Sequence, residues 1–265
     1  MTLKPEELER RLPVVGLGRP LYFFTSIGST NDYAKELAEQ GAPHGTLIVA
    51  DEQTAGRGRA GKSWSTPAST ALALSLLVRD EGIKPRSAAS LNGVAALSVA
   101  QAIEARGGQV GIKWPNDVYV QGKKVAGVLV ETAWEGDRLA HAVIGVGVNV
   151  HRGSAPPDDV VEVSATDLET VLGRKLNRTA LLVDILRASG RWLEDFGTDK
   201  LFAAWQARLM YRDQWVSVGT REGELQGELL GLSPDGKLRL RMAEGDVRNM
   251  GTEARGLRAL DEGSK

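Results

Sequence analysis

The sequence of 265 residues contains no cysteine. This absence excludes disulfide bonds, zinc sites built from thiolates and a cysteine nucleophile, and it leaves the redox compartment undetermined. Histidine is scarce as well: His44, His141 and His151 are scattered along the chain, and we assign no role to any of them. The chemistry of this protein therefore does not depend on a thiol.

Long apolar runs are also missing. Stretches such as residues 70–78 are far too short to span a bilayer. The charged residues 1–11 lack the apolar run of a signal peptide. We therefore expect a cytoplasmic protein with no membrane partner.

Charge of one sign is not in excess. Lysine and arginine total 33 against 34 aspartates and glutamates, a formal net charge of −1. This balance argues against a nucleic-acid coat protein or a polybasic membrane binder, although it does not exclude local basic clusters. A hydrophobic content of 42% and the length of the chain are typical of a globular protein with one large domain and a small appendage.

The hydrophobic pattern predicts an α/β protein in two parts. Strands are predicted at residues 21–24, 47–50, 71–78, 111–120, 125–131 and 142–150. Helices are predicted at residues 33–40, 86–106 and 179–196, with a shorter helix ending near residue 210. Short strands then follow at 216–218, 225–232, 238–242 and 247–250, separated by glycine-rich turns. We therefore expect a main domain at 1–211 and a small β-barrel at 212–265.

The most distinctive segment is G-R-G-R-A-G-K-S at residues 56–63. It matches both the Walker A phosphate loop and the G-x-G-x-x-G dinucleotide fingerprint. Both need a helix that begins in the loop, because the helix N-terminus helps to bind the phosphates. Here the preceding strand ends near Ala50, five mostly polar residues earlier, and Pro67 stands where a helix interior would need an amide donor. The remaining interpretations are a loop that clamps an acyl-phosphate and an exposed glycine-rich turn.

Three further motifs accompany this loop. They are S-T-N at residues 29–31, K-W-P-N-D at 113–117 and G-V-G-V-N at 145–149. Together with Gln53 and Trp64, and in this order and spacing, they resemble the biotin protein ligase family, in the form without an N-terminal DNA-binding domain. Each motif alone is a weak signal, but the combination is specific. The resemblance extends from about residue 23 to the predicted barrel.

The resemblance implies both a fold and a reaction. The fold would be α/β: a class II synthetase-like catalytic domain with a mixed, mainly antiparallel sheet, followed by an SH3-like barrel. In the reaction, the carboxylate of biotin attacks the α-phosphate of ATP, with Mg²⁺ as the cofactor, and gives biotinyl-5′-AMP and diphosphate. The amine of a lysine on a biotin carboxyl carrier protein then takes the biotin and releases AMP. Both nucleophiles come from substrates, which agrees with the absence of cysteine.

The resemblance also implies the site residues. Those assigned to catalysis are Lys124, Arg59 and Lys113. Those assigned to biotin are Ser29, Thr30, Asn31, Gln53, Arg57, Gly58, Arg59, Lys124 and Gly127. Those assigned to ATP and the adenylate are Gly56, Arg57, Arg59, Trp64, Lys113, Asn116 and Asn149, with Asp117 assigned to the metal of Mg-ATP. Cations suit these positions because they offset the negative charge that grows as a carboxylate meets a triphosphate.

Structural roles remain open for some of these residues. Ser29 lies where a helix is capped, with Asp32 completing an approximate capping box and Gly41 suited to the end of the helix. Trp64 is equally a candidate for simple core packing. Lys123, beside Lys124, is expected to be a solvated turn residue.

Two features depart from the family pattern. Ala60 and Lys62 stand where some members carry arginine, which lowers the outer charge of the loop by one. Only 28 residues precede Ser29, too few for a helix-turn-helix domain, so we expect no DNA partner.

Partners and rival functions remain open at this stage. The expected acceptor is the biotin carboxyl carrier protein of a biotin-dependent carboxylase, and a homodimer is an alternative to a monomer. Lipoate–protein ligation shares the fold and the chemistry of the expected reaction. A P-loop nucleotide switch is the rival from another class of protein.

Overall fold

The computed structural model describes residues 3–12, 16–80, 82–157 and 164–260. The helices are α1 Pro5–Arg11, α2 Thr30–Glu39, α3 Ser90–Glu104, α4 Leu168–Leu172, α5 Arg178–Glu194 and α6 Asp199–Ala207. The strands are β1 Leu21–Phe24, β2 Leu47–Ala50, β3 Ala71–Val78, β4 Val110–Lys113, β5 Asp117–Val120, β6 Lys123–Glu135, β7 Arg138–Asn149, β8 Trp215–Thr220, β9 Gly223–Leu232, β10 Leu238–Arg241, β11 Val247–Met250 and β12 Arg255–Ala259. Across these described ranges, no helix has both the length and the apolar character needed to cross a membrane.

A seven-stranded sheet forms the centre of the molecule, in the order β1-β2-β3-β7-β6-β5-β4. β1 and β2 are parallel, and the other neighbours are antiparallel. Helix α3 is apolar around most of its surface and is buried at 13 of its 15 positions, since it packs against both α5 and the sheet. The predicted α/β class with a mixed, mainly antiparallel sheet is therefore confirmed.

Several predicted boundaries were wrong, each for a local reason. The strand expected at 111–120 is two strands, because the chain reverses at Pro115 and pairs Lys113 with Asp117. The helix expected at 86–106 begins at Ser90, since Pro85–Ser87 forms a separate 3₁₀ turn. Neither α4 nor β12 was predicted: α4 has only five residues, and β12 buries only Leu257.

The last five strands form a second, antiparallel sheet in the order β11-β10-β9-β8-β12, here called the C-terminal sheet. It is attached by hydrogen bonds to the turn between β4 and β5 and to helix α6. The indole nitrogen of Trp114 donates to the carbonyl of Gly236 at 2.9 Å, and the amide of Leu232 donates to Oε1 of Gln206 at 3.0 Å. The C-terminal sheet thus contacts the K-W-P-N-D segment directly, while the domain boundary at 211/212 stays a prediction.

A buried ion pair fixes both ends of the segment that carries the glycine-arginine loop. Asp51, just after β2, lies 2.8 Å from Arg178 on α5, and these side chains are 3% and 1% exposed. The other carboxylate oxygen of Asp51 accepts hydrogen bonds from the amide and hydroxyl of Ser69. Arg178 also donates to the carbonyl of Ala71 at the start of β3. Residues 51–70 therefore leave and rejoin the sheet at a defined point.

We expect Asp51→Asn to destabilise the protein by about 3–5 kcal/mol, because it leaves the buried guanidinium of Arg178 without its countercharge. Urea unfolding followed by circular dichroism measures this free energy. Glu228→Gln is the matched control, since it breaks an exposed ion pair with Arg241 at 2.8 Å and should cost about 1 kcal/mol or less. Equal losses for the two variants would show that the buried pair is not an anchor.

Candidate active site

A cavity of about 510 Å³ lies between the large sheet, the glycine-arginine loop (residues 56–63) and the C-terminal sheet. Thirteen residues named from the sequence line it. They are Ser29, Thr30, Asn31, Gln53, Arg57, Gly58, Arg59, Trp64, Asn116, Asp117, Lys124, Gly127 and Asn149. Motifs that are distant along the chain therefore meet around one space of the size that small-molecule ligands occupy.

Two other residues assigned to the site from the sequence, Gly56 and Lys113, do not line this cavity. A Cβ atom on Gly56 would come within 2.4 Å of the carbonyl oxygen of Trp64, so a glycine is needed where the two chain segments cross. The ammonium of Lys113 lies 5.8 Å from the ring centre of Tyr119. Burial lowers the pKa of Lys113, and the nearby charge of Lys124 lowers it further, while Asp117 acts in the opposite direction. The roles assigned to Gly56 and Lys113 stay predictions.

The glycine-arginine loop folds into a small antiparallel hairpin. The amide of Gly58 donates to the carbonyl of Lys62 at 2.7 Å, and the amide of Trp64 donates to the carbonyl of Gly56 at 2.8 Å. Its tip is a 3₁₀ turn, Arg59–Gly61. No helix begins at Lys62 within this described segment, so the geometry that a Walker A or dinucleotide loop requires is missing.

One end of the cavity carries a preformed polar network. Oε1 of Gln53 accepts hydrogen bonds from the amide of Thr30 at 2.9 Å and from its hydroxyl at 3.0 Å. Nε2 of Gln53 donates to the hydroxyl of Thr66. Ser29 caps α2 by accepting from the amide of Asp32 at 3.4 Å, as its sequence position suggested, and it also lines the cavity. A small polar group entering this end would meet fixed donors and acceptors.

Glycines on β6 and β7 form the floor of the cavity. Gly127 lies directly opposite Gly147 across the two strands. A Cβ atom on Gly147 would lie 2.2 Å from Nε1 of Trp64, and one on Gly145 would lie 2.2 Å from Oδ1 of Asn31. The glycines of the G-V-G-V-N motif are therefore explained by the close approach of an indole and an amide to the strand backbone.

Lys124 stands beside Trp64 on this floor. Its ammonium lies 2.7 Å from Oδ1 of Asp117 and 5.5 Å from the ring centre of Trp64. Lys113 is the backbone neighbour of Asp117 across β4 and β5, and the negative charge of Asp117 opposes the lowering of the pKa of Lys113 by burial. One carboxylate thus lies near two lysines, which leaves this side of the cavity net positive.

Arg59 joins the loop to the C-terminal sheet. It donates to Oδ1 of Asn116 at 3.1 Å and to the carbonyl oxygen of Thr252. Burial lowers the pKa of Arg59, which Asp117 and Glu253 oppose. Four residues of the C-terminal region lie in the cavity wall: Thr252, Glu253, Arg255 and Gly256. Sequence reasoning missed all four, because no motif marks them and only the tertiary fold brings them near residue 59.

Two polar atoms at the cavity are buried without a hydrogen-bond partner among the described residues. They are Oδ1 of Asn149 and Nε1 of Trp64. The side-chain nitrogen Nδ2 of Asn149 donates to the carbonyl of Thr166 at 3.1 Å, which fixes the direction of the unpaired Oδ1. An unpaired buried polar atom costs about 1–3 kcal/mol. A ligand that donates to Oδ1 of Asn149 would remove the cost at that atom.

Arg57 takes part in an ionic cluster at the mouth of the cavity. Nη2 of Arg57 lies 2.7 Å from Oδ1 of Asp32 and 2.8 Å from Oε2 of Glu131. Lys35 lies 3.0 Å from Asp32 and 3.1 Å from Glu131. Burial raises the pKa of both carboxyl groups, but the hydrogen bonds and charges of their partners outweigh it and hold each pKa below its ordinary value. Both acids are therefore charged at neutral pH.

The donor set does not form a metal cage. Across the described ranges, histidine, aspartate and glutamate side chains form no group of three or more that could hold a metal ion. Asp117 supplies one carboxylate, already paired with Lys124. This arrangement suits a Mg²⁺ ion that arrives on ATP phosphates and takes at most one protein ligand. The assignment of Asp117 to the metal stays a prediction.

The fold and the cavity match one family of ligases. Residues 23–149 match the biotin/lipoate A/B protein ligase family. The chain is 34% identical to the bifunctional ligase/repressor BirA of Bacillus spizizenii, over 92% of this chain and 76% of that protein. It is 35% identical to the biotin–[acetyl-CoA-carboxylase] ligase of Paracoccus denitrificans, over 80% of this chain and 90% of that protein.

A solved structure gives the same result. The biotin protein ligase from Aquifex aeolicus in complex with biotin and ATP superposes with a TM-score of 0.77 at 30% identity, over 91% of this chain and 100% of that chain. The protein is thus an enzyme of the ligase class. The chain belongs to the biotin/lipoate A/B protein ligase family.

We expect Gly147→Ala to displace Trp64 from the floor, because the new methyl group would overlap the indole nitrogen. Overpacking of this kind costs about 1–3 kcal/mol. The indole N–H resonance of Trp64, assigned with a Trp64→Phe variant, reports the displacement. Gly190→Ala on α5 is the control, since its new methyl would lie 3.8 Å from Leu17 in ordinary contact. An unshifted Trp64 resonance in Gly147→Ala would contradict the packing argument.

Proposed function

We propose that this protein is an ATP-dependent biotin–protein ligase and that the cavity described above carries both steps of its reaction. The observation that supports the proposal most directly is the convergence of the S-T-N, G-R-G-R, K-W-P-N-D and G-V-G-V-N segments on one cavity. The relatives support the choice of substrates, since the Aquifex aeolicus enzyme is in complex with biotin and ATP.

The polar end of the cavity binds the ureido ring of biotin. This ring presents one carbonyl acceptor and two N–H donors, which match the hydroxyl and amide groups of Ser29, Thr30 and Gln53. The dithiolane ring of lipoate offers no such groups. The hydroxyl of Ser29 and the second N–H of Gln53 donate to no atom of the described residues, and a site built to pair with such donors discriminates against an analogue that offers no acceptor. The network around Gln53 therefore favours biotin over lipoate.

The positive side of the cavity then receives the biotin carboxylate and the α-phosphate. A carboxylate oxygen attacks the α-phosphorus, a new P–O bond forms, and the bond to diphosphate breaks. Negative charge concentrates on the phosphoryl oxygens during this step, so fixed cations lower the barrier. Lys124 and Arg59 supply these cations, and Lys113, close to Lys124 and Asp117, adds a third charge. The two positive charges of Lys124 and Lys113 exceed the one negative charge of Asp117, so net positive charge remains for the substrates.

The adenine of the intermediate lies at Trp64 and Asn149. The unpaired oxygen of Asn149 accepts from the exocyclic amine of adenine, and the indole supplies a flat apolar surface. Asp117 is the residue that would hold a Mg²⁺ ion bound to the triphosphate, and the ion would offset further negative charge there.

In the second step the neutral amine of an acceptor lysine attacks the carbonyl carbon of the mixed anhydride. An amide bond forms, the C–O bond to AMP breaks, and the proton lost by the amine passes to solvent. By analogy with the acetyl-CoA-carboxylase named for the Paracoccus relative, the acceptor is the biotin carboxyl carrier protein of a carboxylase. The cytoplasm is the proposed location, because such carriers and ATP are found there.

Incubation with ATP and either biotin or lipoate, without acceptor, tests the function directly. Mass spectrometry should detect biotinyl-5′-AMP and diphosphate, with lipoyl-AMP formed at least about 100-fold more slowly. Formation of ADP without any adenylate would refute the ligase. Equal rates with lipoate would refute the role of the polar end of the cavity.

Lys124→Met should slow adenylate formation by about 100-fold or more in a single turnover, because it removes a cation placed where charge develops. Lys123→Met is the matched control: the neighbouring lysine is exposed on the same strand and should retain the parent rate. Both variants should show parent thermal stability within a few degrees. An unchanged single-turnover rate for Lys124→Met would remove Lys124 from the reaction.

A further inference from the structure

We propose that Arg57 is a positioning residue that holds the glycine-arginine loop closed through its ion pairs with Asp32 and Glu131. These two ion pairs are called the latch below. In this assignment the side chain of Arg57 works on the protein itself, and the latch sets how fast the adenylate escapes. The identity of the retained ligand rests on the proposed function, whereas the latch itself does not.

The contacts of Arg57 join three separate parts of the chain. A single guanidinium nitrogen of the loop lies within charge-assisted hydrogen-bond distance of Asp32 on α2 and Glu131 on β6, at 2.7 and 2.8 Å. The hydrogen bonds inside the hairpin, such as that from Gly58 to Lys62, move with the loop and cannot hold it in place. The contacts of Arg57 to α2 and β6 connect the loop to the rest of the protein, so they can hold it in place.

The carboxylate of Glu131 is itself held in place by contacts to the large sheet. Oε2 of Glu131 also accepts from Nδ2 of Asn31 at 2.9 Å. Oδ1 of Asn31 lies 2.6 Å from the hydroxyl of Ser75 on β3, and Asn31 packs against the bare backbone of Gly145. A continuous series of contacts therefore runs from β3 through Asn31 and Glu131 to Arg57. A fixed carboxylate gives an ion pair more value, because less side-chain entropy is lost when the pair forms.

The charge of Arg57 is balanced within the protein, unlike that of the cations proposed to bind phosphate. Arg57 and Lys35 supply two positive charges to this cluster, and Asp32 and Glu131 supply two negative charges. The cluster is therefore neutral by itself and forms a network rather than an isolated surface pair. Arg59 lies on the opposite side of the loop, against Asn116 and the C-terminal sheet. The loop is thus fastened on two sides, and loosening one side opens a path out of the cavity.

The first test measures escape of the adenylate from the double variant Asp32→Asn/Glu131→Gln, which removes both negative charges at nearly constant shape. We expect labelled biotinyl-5′-AMP to dissociate about three- to tenfold faster, because the variant loses one or two partly exposed ion pairs. The rate of adenylate formation should stay within about twofold, because Lys124 and Arg59 are unchanged. Glu135→Gln, which breaks an exposed pair with Arg138 on the same β6–β7 hairpin, should behave as the parent protein.

A double-mutant cycle with Arg57→Gln separates a latch from a general structural effect. If the two acids act through Arg57, their replacement should add little to the faster escape already caused by Arg57→Gln. A parent dissociation rate in the Asp32→Asn/Glu131→Gln variant would overturn the proposal. So would an equal acceleration in the Arg57→Gln background, since the acids would then act without Arg57.

Limited trypsin digestion tests the latch in the ligand-free protein, without any reaction. Cleavage after Arg59 or Lys62 reports opening of the loop, and we expect it to be about three- to tenfold faster in the Asp32→Asn/Glu131→Gln variant. Unchanged cleavage would refute the latch. If the parent protein made no adenylate, the proposed function would fail while this digestion still decided the latch.

Discussion

A loop made largely of glycine and arginine has almost no apolar surface to bury, so charge and hydrogen bonding must hold it. This constraint governs residues 51–70. The buried pair of Asp51 and Arg178 fixes the two ends of the segment. Arg57 fastens one side of the hairpin to α2 and β6, and Arg59 fastens the other side to the C-terminal sheet. Glycine permits the tight hairpin, and the arginines give it a defined position.

The two arginines of the loop look equivalent in the sequence, but the structure gives them different partners. Arg57 is exposed and lies in a neutral cluster with Asp32, Lys35 and Glu131. Arg59 is more buried, and its nearest partners are an amide and a carbonyl rather than a carboxylate. Its charge is thus less neutralised by the protein. An anionic ligand in the cavity would meet Arg59 before it could compete for Arg57.

The sequence predicted the local parts of this structure well. Strands β1, β2 and β3 follow from periodicity, and the cap at Ser29 from its position, since both depend on neighbouring residues. Helix α2 itself begins at Thr30, three residues before its predicted start. The reversal at Pro115 was missed because an apolar run on both sides of it resembles one strand. The anchors Asp32 and Glu131 and the wall residues near Thr252 could not be predicted, because their roles depend on contacts between distant segments. Motif resemblance supplied the cavity residues, but not the partners that position them.

The cavity also explains why site residues of this kind reduce the stability of the empty protein. Two lysines lie near the single carboxylate of Asp117, and only Lys124 of the two forms an ion pair with it. Asn149 and Trp64 each bury a polar atom without a partner among the described residues. Each of these features raises the free energy of the folded state without ligand. A ligand that carries negative charge and a donor for Oδ1 of Asn149 offsets the excess positive charge and pairs the buried oxygen. The free energy that these groups cost the empty protein is then recovered on binding, so the groups that weaken the empty fold are also those that select the ligand.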